Sequence, residues 1–180
     1  MSELMKTFET SSSELYWLAY LLTGNEDRSV QAFTRALDLE EETNLAFDGF
    51  MNQWARKLII VAALGAIETD LRRSQARVAR MAEAPGGVKF SQRPGITKDI
   101  AKEEFENAVI AIDAFPRCAM LLTTFEGLSI PAAAILLNAE EALTAKAQRI
   151  GVVQLTRNLS GDGGRDFYPS LAPVPVLSPS

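Results

Sequence analysis

Lys146 and Arg149 stand three residues apart, off the helical face on which Leu143, Ala147 and Ile150 recur. An ammonium and a guanidinium so placed can meet phosphate oxygens or the edge of a guanine. Thr144 shares their polar side and is a third candidate contact, while Glu140 and Glu141 just ahead would repel a nucleic-acid backbone. Arg72, Arg73, Arg77 and Arg80 form a second basic cluster earlier in the chain. Taken alone, such a cluster is more often the solvated face of a helix than a DNA contact.

The chemistry on offer is binding, not bond breaking. The 180 residues include no histidine and one cysteine, Cys118. That composition excludes a disulfide within the chain, a zinc site of the usual Cys and His ligands, and histidine-dependent triads and proton relays. No nucleophile-base arrangement, phosphate-binding glycine motif or metal-ligand spacing occurs. The carboxylates of Glu103-Glu104 and of Glu40 to Glu42 are sequence neighbours that point apart on a helix, so they read as solvation or N-terminal charge. Cys118 lies on an apolar helical face and reads as an inert buried thiol, and Trp54 reads as core. The expectation is a non-enzyme with no metal and no cofactor.

The stretch from Phe115 to Leu155 must position Lys146 and Arg149, and its punctuation divides it into three short helices. Pro116 suits a first helical turn, and Gly127 follows Cys118, Leu121, Leu122 and Phe125 as a left-handed cap would. Ser129 offers an N-cap to an apolar helix ending near Asn138, and a third helix runs on from Ala139. That is the pattern of a helix-turn-helix whose last helix is offered to a major groove.

Upstream, Ser11 and Glu14 have capping-box spacing before Leu15, Leu18, Ala19 and Leu22, and Thr23-Gly24-Asn25 ends that helix. Asn25 can cap a second helix with Val30, Phe33 and Leu37 as its apolar stripe. A third, long helix is expected from about Phe50 through Arg80, with Trp54, Leu58, Val61 and Ala62 inside. Ala84-Pro85-Gly86-Gly87 and Arg93-Pro94-Gly95 read as a linker, after which Thr97 can cap a helix carrying Phe105, Ala108, Val109 and Ile112. Gly161 to Gly164 and four later prolines argue for an extended or disordered tail. Every apolar segment has helical period, so the expected fold is all-α, two small helical bundles with the C-terminal one a helix-turn-helix.

The net charge of −5 opposes simple nucleic-acid binding, and its distribution matters more than its sum. Residues 1–50 carry −7, residues 51–100 carry +5, residues 101–150 carry −3, and the last thirty balance. The N-terminus carries acids and no apolar segment, and the longest apolar run, Leu58 to Ile67, is about half of the ~20 residues that span a bilayer. A soluble cytoplasmic protein without a membrane partner is expected.

Phe115-Pro116-Arg117, Leu121-Leu122, Phe125-Glu126-Gly127-Leu128-Ser129 and Ile135-Leu136 resemble the promoter-reading domain of bacterial extracytoplasmic-function sigma factors. Leu18 to Asp27, Val30 to Leu37 and Asp70-Leu71-Arg72-Arg73 resemble the N-terminal domain of the same family, which binds the polymerase clamp and melts the promoter. The matches come in family order and cover about three quarters of the chain. The resemblance implies a polymerase-binding and promoter-melting domain over 1–84, a linker over 85–96, a helix-turn-helix domain over 97–160 and a tail over 161–180. It implies core RNA polymerase contacts at Gln31, Phe33 and Arg35, and promoter DNA contacts at Thr144, Lys146, Arg149, Arg72, Arg73 and Arg77. An anti-sigma regulator is a further implied partner.

The chain also departs from the family. Arg28 stands where the clamp-binding helix usually has an acid, one residue is missing between Gln31 and Phe33, and Ile59 to Ile67 is wholly apolar where polar residues are usual. The last helix keeps only Lys146 and Arg149 of a more basic run. The alternative is therefore a protein-interaction module on the same fold that no longer reads DNA and binds a regulator, a polymerase subunit or a second copy of itself as a homodimer. The helix Ile130 to Leu137, with no polar residue, favours it and is expected to be covered on both sides, by the N-terminal half or by a second chain.

Overall fold

Gly24 closes the first helix, α1 (Ser12–Thr23), by turning left-handed at φ 65° and returning its N–H to Tyr20 O at 2.8 Å. The computed structural model containing it describes residues 10–42, 51–81 and 101–160. Asn25 then caps α2 (Glu26–Glu42), its Oδ1 accepting the Arg28 N–H at 3.0 Å. The expected capping box at the start of α1 does not form. Ser11 makes no side-chain cap bond, because a helical turn at Thr10 already runs into the helix.

Two helices, α3 (Met51–Ala66) and α4 (Glu68–Arg80), replace the single long one expected. The chain breaks at Ile67, with φ −116° and ψ 16°, and the break lets α4 swing away and lay Leu71, Ser74 and Val78 against the second half. There α5 (Lys102–Ile110) leads to α6 (Ala114–Met120), capped by Asp113 and carrying Pro116 in its first turn. A π turn, Leu121–Phe125, extends α6 as far as the left-handed Gly127 at φ 68°. Ser129 caps α7 (Ile130–Leu136) by accepting the Ala132 N–H at 3.3 Å, and a short turn through Asn138 leads to α8 (Glu141–Leu159). Among the described residues there is no strand, and the fold is all-α. No described helix is long and apolar enough to cross a membrane.

The core is one continuous cluster fed by both halves, from Leu15, Leu22 and Ile59 through Leu71 and Val78 to Phe115, Cys118 and Leu122. The expected stripes of α2 and α3 hold except at one residue each, since Ala62 is buried and Trp54 and Leu58 pack against the core. Val30 is 52% exposed and Val61 50%, while Ala32, Ala36, Ala55 and Ile59 are buried. Small residues at the contact let α1, α2 and α3 approach closely, and Phe33 and Leu37 pack at its edge. Phe125, placed on the inner face by the sequence pattern, is also exposed.

The apolar helix α7 is not covered on its second side by the N-terminal half, one of the two expected covers. Ala133, Ala134 and Leu137 are buried, whereas Ile135 is 79% exposed and Leu136 36%. Its second side is open in this chain, because the N-terminal half closes on α6 and α8 through α4. The proposed linker, the Thr97 cap and the tail lie outside the described residues.

Candidate nucleic-acid interface

Helix α8 lies along α6, with Gly151 at the closest approach. That packing decides which of its polar residues can meet a ligand. Thr144 cannot in this arrangement, because it is fully buried and its Oγ1 donates to Glu140 O at 3.0 Å, a bond within the helix that lets a threonine sit in a core. Lys146 is half-buried, and its ammonium donates to Met81 O at the end of α4. Arg149 is exposed, and so are Glu140 and Glu141 ahead of it.

The basic cluster of α4 divides in the same way. Arg72 and Arg73 are exposed and make ion pairs with Glu68 and, at 3.6 Å, Asp70. Arg28 also reaches Asp70, and this bond, ahead of the nearby charges, holds the Asp70 carboxyl below its ordinary range. Arg77 turns the other way, its Nε and Nη2 donating to Asp113 Oδ2 and Oδ1 at 2.9 and 2.6 Å. It is a bidentate pair between the halves of the chain.

Around that pair runs a polar seam that the sequence pattern did not disclose. Phe115 N–H donates to Ser74 Oγ at 2.9 Å, Arg56 pairs with Glu126 through bonds of 2.9 and 2.5 Å, and Trp17 Nε1–H donates to Glu106 Oε1 at 2.6 Å. The bond to Glu126 raises the Arg56 pKa. Deepest lies Arg117, buried, donating to Ile112 O at 2.9 Å, Ile110 O at 3.1 Å and, across the seam, Leu22 O at 3.3 Å. The only advance sign of it was an arginine inside the otherwise apolar run from Ala114 to Met120.

Of the residues expected to touch polymerase, Gln31 and Arg35 are exposed on α2 and Phe33 is half-buried against the core. Val30, misread as core, joins them on the surface.

Burial alone would raise the Asp113 carboxyl pKa, but hydrogen bonds from Arg77, Ser74 and the Ala114 N–H, with the Arg77 charge, outweigh it and leave the pKa lowered. The stabilisation is therefore complete above the ordinary carboxylate pKa, about 4, and is lost as pH falls through the lower folded value. Acid titration of tryptophan fluorescence should show the Asp113→Asn variant losing part of that acid-side dependence. A titration superimposable on that of the unmodified chain would refute the role of the pair.

No protein-family model matches the chain, and no curated protein does. Its structure is similar to that of the sigma factor RpoE, solved in complex with the anti-sigma factor NepR from Bartonella quintana, with a TM-score of 0.52 and 14% sequence identity. The likeness covers 90% of this chain and 99% of that one. At this identity it is a likeness of fold, and the chain carries a divergent sigma-factor fold.

Proposed function

We propose that this chain is a sigma-factor-like transcription initiation protein that binds core RNA polymerase through α2 and promoter DNA through α4 and α8. A cytoplasmic location, the division at residues 85–96 and the reading of α7 and α8 as a helix-turn-helix belong to the same proposal. The observation that carries it is the sigma-factor fold over nine tenths of the chain. The exposed Gln31 and Arg35 beside Val30, and the exposed Arg72, Arg73 and Arg149, suit those two partners. Lys146 and Arg77 are engaged between the halves, so DNA contact through them requires those bonds to open. An anti-sigma regulator is a fitting partner, as it is for the similar structure.

The test is capture of core RNA polymerase by the full chain, followed by run-off transcription. Capture that fails with Gln31→Ala and Arg35→Ala together is the expected result. With polymerase present, Lys146→Ala should weaken promoter binding and lower its salt slope by about one unit. Absence of capture would favour the interaction-module reading, for which the open Ile135 and the buried Thr144 are the specific observations.

Opening of the seam has a built-in reporter. Cys118 is fully buried, its Sγ 3.6 Å from Leu22 O, and burial pushes its pKa up to about 11 despite the Arg117 charge beside it. A thiol reagent near neutral pH should react slowly. Arg77→Ala should speed labelling about fivefold, as expected if losing a partly exposed pair eases opening by roughly 1 kcal/mol. An unchanged rate would show that the Arg77–Asp113 pair does not govern access to the thiol.

A further inference from the structure

Where the polar seam reaches the surface at the Trp17–Glu106 bond, α1, the start of α2 and α5 line an open groove of about 410 Å³, within the size range of ligand clefts. Tyr16, Trp17 and Tyr20 line it, with Glu26, Glu106 and Lys102. Three aromatic rings and two carboxylates are the components of a site for an organic cation, since ring faces attract positive charge and carboxylates complete the match.

The chain's own contacts already show this preference. Lys102 Nζ stands over the Trp17 ring, 5.8 Å from its centroid, and 3.7 Å from Glu106 Oε1. Its side chain is 72% exposed, so it is a loose occupant that a better cation can displace. Glu106 is held ready, its side chain 19% exposed and fixed by the Trp17 Nε1–H, and the Trp17 ring is backed by Phe105 at 6.2 Å. Glu26 makes no ion pair among the described residues. A planar guanidinium suits the site better than an ammonium, because it can stack on a ring and present a fork of donors to a carboxylate.

We propose that this groove accepts an arginine side chain from a basic segment of a partner protein, with Trp17 as the ring platform and Glu26 and Glu106 as the acids. Because α1 and α2 belong to one half of the chain and α5 to the other, an arginine seated there spans both and favours the closed arrangement. The proposal does not depend on polymerase binding, so failure to capture polymerase would leave it standing.

The probe is the blocked peptide acetyl-Gly-Arg-Gly-amide, compared with its uncharged citrulline counterpart. Both are titrated into the full chain carrying Trp54→Phe, so that Trp17 alone reports. The arginine peptide should shift Trp17 emission saturably and bind about tenfold more tightly than the citrulline peptide, the size expected of a cation–ring contact together with one ion pair. Glu26→Gln, at an exposed position that should leave the fold intact, should weaken the arginine peptide several-fold, and Lys102→Ala, which clears the groove, should tighten it. Equal binding of the two peptides would overturn the proposal. Indifference of the arginine peptide to both substitutions, with unchanged circular dichroism, would also do so.

Discussion

Arg117→Ala should cost the folded chain on the order of 3 kcal/mol, read as a lower urea midpoint at unchanged slope. The guanidinium serves the ends of two helices at once. Leu22 O belongs to the last turn of α1, and Ile110 O and Ile112 O lie at the end of α5, where carbonyls have no partner within their own helix. A cation there also complements the negative ends of both helix dipoles. Substitution leaves Ile110 O and Ile112 O without this donor and Leu22 O with only the weak Cys118 thiol, at about 1–3 kcal/mol for each acceptor left unpaired when water cannot replace the guanidinium. The loss is reduced because the native site is itself imperfect, with the charge facing carbonyls in place of a carboxylate and Nε lacking a partner. Arg117→Lys should recover only part of the loss, since one ammonium cannot reproduce the fork that reaches both helix ends. A loss below about 1 kcal/mol for the alanine variant would mean that water fills the site and that Arg117 is not a clamp.

Arg117 also shows how far the sequence was legible. Most helix ends were, because their signals are local: Gly24, Asn25, Gly127 and Ser129 each do what residues of their type do at turns and caps, and Ser11 alone among the expected caps in the described residues does not. The all-α class followed from periodicity. What could not be read was how segments meet. Val30 and Val61 were placed inside by their size, but the helix contacts are taken by Ala32 and Ala36 on α2 and by Ala55, Ile59 and Ala62 on α3, which leaves the two valines outside. The break at Ile67 answers to the packing of α4 on α6, a contact between residues about forty positions apart that no local pattern announces. The candidate site divides along the same line. Arg72, Arg73 and Arg149 are where a helical pattern places them, in water, whereas Arg77, Lys146 and Thr144 are claimed by tertiary partners, a neighbouring half or the core.

The two glycines at helical positions permit a test in which identical substitutions have opposite signs. In an exposed helix interior, replacing glycine by alanine stabilises by roughly 1 kcal/mol, through the backbone freedom that the unfolded chain loses. Gly65, in the last turn of α3, should keep part of that gain, being exposed with no atom within 4 Å of the position a Cβ would take. Gly151 on α8 should not. A Cβ there would lie 2.5 Å from Pro116 O and 2.9 Å from Met120 Cβ, where α6 and α8 are held at their closest approach. The carbonyl cannot swing aside as a side chain would, so the helices must separate. Overpacking of this kind costs about 1–3 kcal/mol for one added group, and a valine should exceed that. Gly65→Ala should therefore raise the melting temperature, Gly151→Ala should lower it, and Gly151→Val should lower it further. The functional consequence follows from the same geometry, because α8 carries Lys146 and Arg149 and is positioned by its contact with α6. On the proposed promoter-binding function, Gly151→Ala should weaken promoter binding in the presence of polymerase, while Gly65→Ala should leave it unchanged. Equal shifts of the same sign at both positions would refute the close packing of α8 on α6.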